Sequence, residues 1–281
     1  MRHRRLPLLL AALATAALLP AAGSASTRLL DTSYTSRALA GTLHFEVYLP
    51  PGYDTSGLRY PVVYFLHGLP SQPAAYRSVR FVERALDAVG RPAILVIPQA
   101  ARAGESDPEY VNQGPGHDWG TAIARELPKV VDARFRTIAS RGGRAIIGVS
   151  AGGYGAMHLA LAYLDAFSVV ESWSGYFHPT DPTGTQPLDL GSADRDTKAD
   201  VHQQLTAVRR RLQKLPEFIA FYVGRSDRRF AAENERLNQE LSAARVAHVF
   251  RFYDGGHTQR LWVSHAPPWL ALALAHLAPA R

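Results

Sequence analysis

The stretch RAIIGVSAGGYGAMHLAL, residues 144–161, decides how the rest of the chain is read. Residues 145–149 form a continuous apolar run of strand length, the pattern of a strand covered on both faces. Residues 154–163 form an apolar run of helical length. Between them lies Gly148-Val149-Ser150-Ala151-Gly152, a G-x-S-x-G pentapeptide. In a chain with 22 glycines the pentapeptide alone says little, but a serine at a strand-to-helix turn is lifted above the end of the sheet. Only small neighbours let the backbone approach so tightly and the helix start at once, and Gly148, Gly152 and Gly153 supply them. Ser150 is therefore the candidate nucleophile.

Working outward, residues 42–49 alternate as an outer strand, and residues 62–66, 93–97, 167–173, 218–223 and 248–253 read with 145–149 as further strands, about seven in all. Residues 75–89, 118–135, 154–163, 198–215, 229–245 and 268–277 read as helices between and after them, with a kink expected at Pro128. Strands alternating with helices predict an α/β fold, a mostly parallel sheet with helices on both faces. No repeat or linker divides the series, so residues 26–281 read as one domain. Residues 100–117 and 177–196 are long connections rich in Gly, Pro and Asp. Connections longer than about 12–15 residues in a compact domain are usually functional or disordered. Both follow strand ends, where open α/β sheets bind ligands, and they are expected to wall a substrate cleft.

A serine hydroxyl needs a base, itself oriented by a carboxylate. On a sheet with such an elbow the partners follow in the order acid, then histidine, in loops after later strands. Asp227 follows the strand 218–223 and His257 follows the strand 248–253. Glu233 and Glu235 fall too far along the next helix to serve, and Asp254 is so near His257 that it is expected to shape the turn. His265 sits beside Pro267 and Pro268, His158 lies on the elbow helix, and His67 reads as a structural hydrogen-bonder at a strand end. An oxyanion intermediate requires backbone N–H donors. Ala151, just after the serine, is one; His67-Gly68-Leu69-Pro70 holds the other, from Gly68 or Leu69, with Leu69 preferred because Pro70 has no N–H.

Four segments, YPVVYFLHGL (60–69), RAIIGVSAGGYGAMHLAL (144–161), FYVGRSD (221–227) and FYDGGHTQRLW (252–262), together resemble the esterase family of α/β-hydrolases. That family includes feruloyl and acetyl xylan esterases, S-formylglutathione hydrolase, siderophore esterases and secreted mycolyltransferases. The resemblance spans roughly residues 42–277. It implies the α/β-hydrolase fold, with Ser150, Asp227 and His257 as catalytic residues, Leu69 and Ala151 as oxyanion donors, and Gly68 and Trp262 against the substrate. It implies no metal and no cofactor. Two departures concern the pocket: Ala151 stands where members often carry Met, and Gln259 where they often carry Trp.

Composition narrows the function further. The chain has no cysteine, which excludes disulfide scaffolds, thiolate nucleophiles and Cys-ligated zinc, and it has no His-x-x-x-His zinc pattern, P-loop or dinucleotide fingerprint. Arg2, Arg4 and Arg5 precede an apolar run over residues 6–19, then Pro20 and small residues to Ala25, the layout of a secretory signal peptide cleaved near Ala25. The run is shorter than the roughly 20 residues a membrane-spanning helix needs, so no stable membrane anchor is expected. Of 31 basic residues, removing those three leaves 28 against 24 acids, so the formal +7 becomes +4 and the charge gives little support for a nucleic-acid partner. The reading is thus a secreted serine carboxylesterase acting on a small-molecule or glycan ester. The alternatives are acyl transfer of the mycolyltransferase type and a non-catalytic binding protein on the same scaffold.

Overall fold

The computed structural model describes residues 28–105, 107–181, 186–215 and 217–281. The expected signal peptide at residues 1–25 lies outside the described residues. Eight strands form one sheet in the order β1-β2-β4-β3-β5-β6-β7-β8. They are β1 (Arg28–Ser36), β2 (Gly41–Leu49), β3 (Val62–Leu66), β4 (Ile94–Pro98), β5 (Arg144–Val149), β6 (Val169–Trp173), β7 (Phe218–Gly224) and β8 (Val249–Tyr253). The β1–β2 and β2–β4 pairs are antiparallel, and all pairs from β4 to β8 are parallel. The fold is that of an α/β-hydrolase.

The helices are α1 (Tyr53–Ser56), α2 (Phe81–Val89), α3 (Trp119–Thr121), α4 (Leu127–Arg134), α5 (Ala151–Ala162), α6 (Ala193–Ala199), α7 (Val201–Lys214), α8 (Ala231–Ala243) and α9 (Gln259–Ala275). Side chains alternate across a strand, and β3 divides accordingly. Val62, Tyr64 and Leu66 enter one apolar layer with α4, α5, α7 and α8. Val63 and Phe65 enter a second with α2 and α9. Strands buried on both faces explain why 62–66 and 145–149 read as unbroken apolar runs.

Several boundaries differ from the sequence reading. The strand β1 was not anticipated, because RLLDTSYTS mixes polar residues into an edge strand paired on one side only. The helix expected at 75–89 is a 3₁₀ turn, Ala75–Val79, followed by α2. That expected at 198–215 is α6 and α7, separated at Asp200, whose side chain accepts from the N–H of Gln203 and starts a new helix. A π turn at Ala122–Glu126 connects α3 to α4 and places Pro128 in the first turn of α4, where a missing N–H costs little. The last helix starts nine residues before the expected position, capped by Thr258, whose hydroxyl accepts from Leu261 N–H. No helix among the described residues is long and apolar enough to cross a membrane.

Candidate active site

The parallel strands point their C-terminal ends the same way, and the loops leaving β5, β7 and β8 carry Ser150, Asp227 and His257. Ser150 sits between β5 and α5 at φ 56° and ψ −122°, a left-handed backbone that a non-glycine residue rarely adopts. The turn is locked from both sides: Ser150 N–H donates to the Trp173 carbonyl at 2.9 Å, and Ser150 O accepts from Gly153 N–H at 2.8 Å. A Cβ on Gly148 would stand 2.1 Å from Gly152 O, and one on Gly152 would stand 2.1 Å from Leu66 O. Those two glycines let the elbow helix start directly against the sheet.

His257 links the other two side chains. Its Nε2 lies 2.9 Å from Ser150 Oγ and its Nδ1 lies 2.8 Å from Asp227 Oδ2. A carboxylate only accepts, so Nδ1 carries the hydrogen and Nε2 offers a lone pair to the serine hydroxyl. Asp227 is almost fully buried, and its other oxygen accepts from the N–H groups of Arg229 and Phe230 at 3.3 and 3.4 Å. The ring of His257 is held edge-on between Phe230, 5.2 Å away, and Trp262, 5.0 Å away. Trp262 Nε1 in turn donates to Ser174 Oγ at 3.0 Å.

Gly68, Leu69, Ser150, His257 and Trp262 line one cavity of about 430 Å³. Gly68 must be small, because a Cβ there would stand 3.0 Å from Ser150 Cβ. Ala151 opens α5 immediately after the serine. Neither Leu69 N–H nor Ala151 N–H has an acceptor among the described residues.

The rivals are engaged elsewhere. Burial opposes ionisation of Glu233, but His178, whose Nδ1 lies 2.6 Å away, and His202, whose Nε2 lies 3.6 Å away, prevail and lower its pKa to about 2. It also accepts from Phe177 N–H at 2.9 Å. His67 is buried with Nδ1 2.8 Å from Gly68 O, and burial lowers its pKa to about 4, so it stays neutral. His158 is likewise buried and lowered to about 4. His265 packs against Tyr253 and Trp269 within α9.

One expectation fails. Among the described residues, neither 100–117 nor 177–196 lines the cavity at Ser150. Its walls come from shorter segments: Ser78, Val79 and Phe81 before and in α2, Tyr176 after β6, and Arg229 and Phe230 after β7. The long connections act one layer behind. Glu109 accepts from the hydroxyls of Tyr176 and Thr180, while Tyr110 donates to His67 O at 2.6 Å. Burial holds Glu109 well above the usual carboxylate range and raises its neighbour Asp107 to about 6. Asp107, Glu109 and Tyr110 all have positive φ, which non-glycine residues rarely adopt. Ser174, Tyr176 and Phe230 were absent from the sequence reading. Ser174 and Tyr176 stand just past the end of β6, the strand beside the elbow, and that position was the available signal.

Residues 36–271 match the family model described as "Putative esterase". Esterase Rv1288 of Mycobacterium tuberculosis is 37% identical over 131 residues, covering 46% of this chain and 28% of that protein. The chain thus spans less than a third of the curated relative's length. Among solved structures, a ferulic acid esterase superposes with a TM-score of 0.75 at 21% identity, covering 91% of this chain and 100% of that one. An S-formylglutathione hydrolase from Agrobacterium tumefaciens gives 0.74 at 19% identity, covering 91% and 97%. The family match covers most of the chain and falls on the sheet and loops that assemble this site, so the chain belongs to that esterase family.

Proposed function

We propose that this protein is an exported serine carboxylesterase whose residues 26–281 form one catalytic domain and which works through an acyl-enzyme on Ser150. The observation that carries the reading is the continuous hydrogen-bonded chain Ser150–His257–Asp227 at the floor of an open cavity. Ser150 Oγ attacks the ester carbonyl while His257 Nε2 takes its proton, and the buried Asp227 carboxylate stabilises the imidazolium. The unpartnered N–H groups of Leu69 and Ala151 receive the negative oxygen, each such donor contributing roughly 3 kcal/mol. Collapse of the tetrahedral species passes the proton from His257 to the leaving alkoxide and leaves the acyl group on Ser150. Water, deprotonated by His257, then adds to the acyl carbonyl, and the acid departs as the serine recovers its proton.

The cavity mixes Leu69, Phe81 and Trp262 with Ser78, Arg229 and Gln259, which suits a small ester with polar substituents, a glycan ester included. Export rests on the basic, apolar and small-residue segments of residues 1–25, and N-terminal sequencing of the secreted protein is expected to begin after Ala25. The catalytic claim is tested with short p-nitrophenyl esters at neutral pH. Wild type is expected to release p-nitrophenol with turnover, and Ser150→Ala to lose it by at least about 10³-fold while keeping its circular dichroism spectrum. A folded Ser150→Ala that keeps its turnover defeats the mechanism. Adding an alcohol acceptor distinguishes hydrolysis, in which free acid remains the product, from acyl transfer.

A further inference from the structure

A second cavity, of about 400 Å³, opens between α5 and α7 at the end of α5 remote from Ser150. The two long connections meet here: Val111 and Asn112 come from one, Leu190 and Arg195 from the other. Leu161 and Val208 complete an apolar wall with Val111 and Leu190. Arg195, Lys198 and Arg211 also line it, and none of the described lining residues is acidic. Lys198 is paired with Asp194 at 2.7 Å. Arg195 donates to Leu190 O at 3.3 Å, and Arg211 favours the ionised form of Asp165. Neither arginine forms an ion pair within 4.0 Å among the described residues.

Two polar side chains line the same space without being satisfied. His158 and Gln204 are 7% and 9% exposed. His158 Nδ1 and Gln204 Oε1 have no hydrogen-bond partner among the described residues. Gln204 Nε2 donates to the His158 carbonyl at 3.5 Å. A buried polar atom left unpaired costs about 1–3 kcal/mol. Both residues line one cavity together with the guanidinium-bearing arginines and the apolar wall, a pattern a bound molecule completes.

We infer that the cavity between α5 and α7 binds an amphipathic carboxylate whose apolar body carries a hydroxyl group. The carboxylate meets Arg195 and Arg211, the body lies along Leu161, Leu190 and Val208, and the hydroxyl meets the part of the wall formed by Gln204 and His158. The site is distinct from the cavity at Ser150, with which it shares no lining residue.

Calorimetric titration of the full chain with ω-hydroxydecanoate tests this. One saturable site is expected in wild type and in Ser150→Ala. Ala207→Trp, on the exposed face of α7 lining the cavity, is expected to abolish binding while leaving ester turnover unchanged. The double variant Arg195→Ala/Arg211→Ala is expected to weaken binding about tenfold or more, since guanidinium–carboxylate hydrogen bonds are charge-assisted. Decanediol, with the same body and no charge, is expected to bind at least about tenfold more weakly. Absence of saturable binding overturns the proposal. So does binding that survives Ala207→Trp, which would put the ligand at another site, and so does equal affinity for the diol, which would mean that the cations read nothing.

Discussion

At the scale of single residues, Asp227 is the most informative. One of its oxygens is committed to two backbone N–H groups and the other to His257. Asp227→Asn turns an acceptor into an NH₂ donor facing His257 Nδ1 and favours the tautomer with hydrogen on Nε2, which cannot take the serine's proton. kcat is expected to fall by about 10⁴-fold with Tm close to wild type, read by steady-state kinetics and calorimetry. A loss under about tenfold would assign the orienting role to another group. Ser150, Asp227 and His257 were legible in the sequence because each stands at a strand end in a fixed order, a property of the chain itself. Phe230 and Ser174 were not, because their part in the site exists only once Phe230 and Trp262 close on His257 and Ser174 accepts from Trp262. Such contacts join residues as far as 88 positions apart and leave no local pattern.

At the scale of elements, the elbow is defined by backbone crowding as much as by the serine. Gly152→Ala would drive a Cβ to 2.1 Å from Leu66 O, 2.5 Å from Leu66 C and 2.6 Å from His67 O. All three are backbone atoms of β3 and the loop after it, so no side chain can swing aside. Relief requires α5 to lift from β3, which also carries Ser150 away from Gly68. Overpacking of about 3 kcal/mol or more is expected, roughly 6–12 °C in Tm for a domain of this size, together with loss of esterase activity. A variant melting within 2 °C of wild type (roughly the effect of less than 1 kcal/mol) would show that the elbow has room to spare. The strands β3, β4, β5 and β7 were readable because burial on both faces makes them almost wholly apolar. The start of α9 was not, because Pro267 and Pro268 read as helix breakers. Leu261, Trp269, Leu270 and Ala273 bury enough of this helix in the core to carry it through both prolines.

At the scale of the whole molecule, the buried titratable groups tie stability to pH. Burial raises Glu171 and Glu217 to about 8. Carboxylates raised in the folded state hold protons that the unfolded chain has released, so their neutral form favours folding less and less as pH rises from about 4.5 through about 8. His178 and His202 are raised as well; although burial opposes it, their carboxylate partners Glu233 and Glu240 hold the charged form, and that stabilisation is also lost as pH rises through their folded values. The opposing groups act lower. His67 and His158, buried neutral at about 4, weaken folding as pH falls from 6.5, and Glu233, at about 2, does so as pH falls below 4.5. Between about pH 6.5 and 9 these shifts therefore all point the same way, and Tm is expected to fall across that window. Glu217 isolates the effect, because both its oxygens are buried without a hydrogen-bond partner among the described residues and the nearby Arg141 charge offsets only part of the burial. Glu217→Gln keeps the shape and cannot ionise. It is expected to melt near wild type at pH 5 and to exceed it at pH 9 by on the order of 2–4 kcal/mol, roughly 4–16 °C. Parallel Tm curves for the two proteins from pH 5 to 9 would show that Glu217 ionises without cost, through water or a shift of Arg141 reaching it.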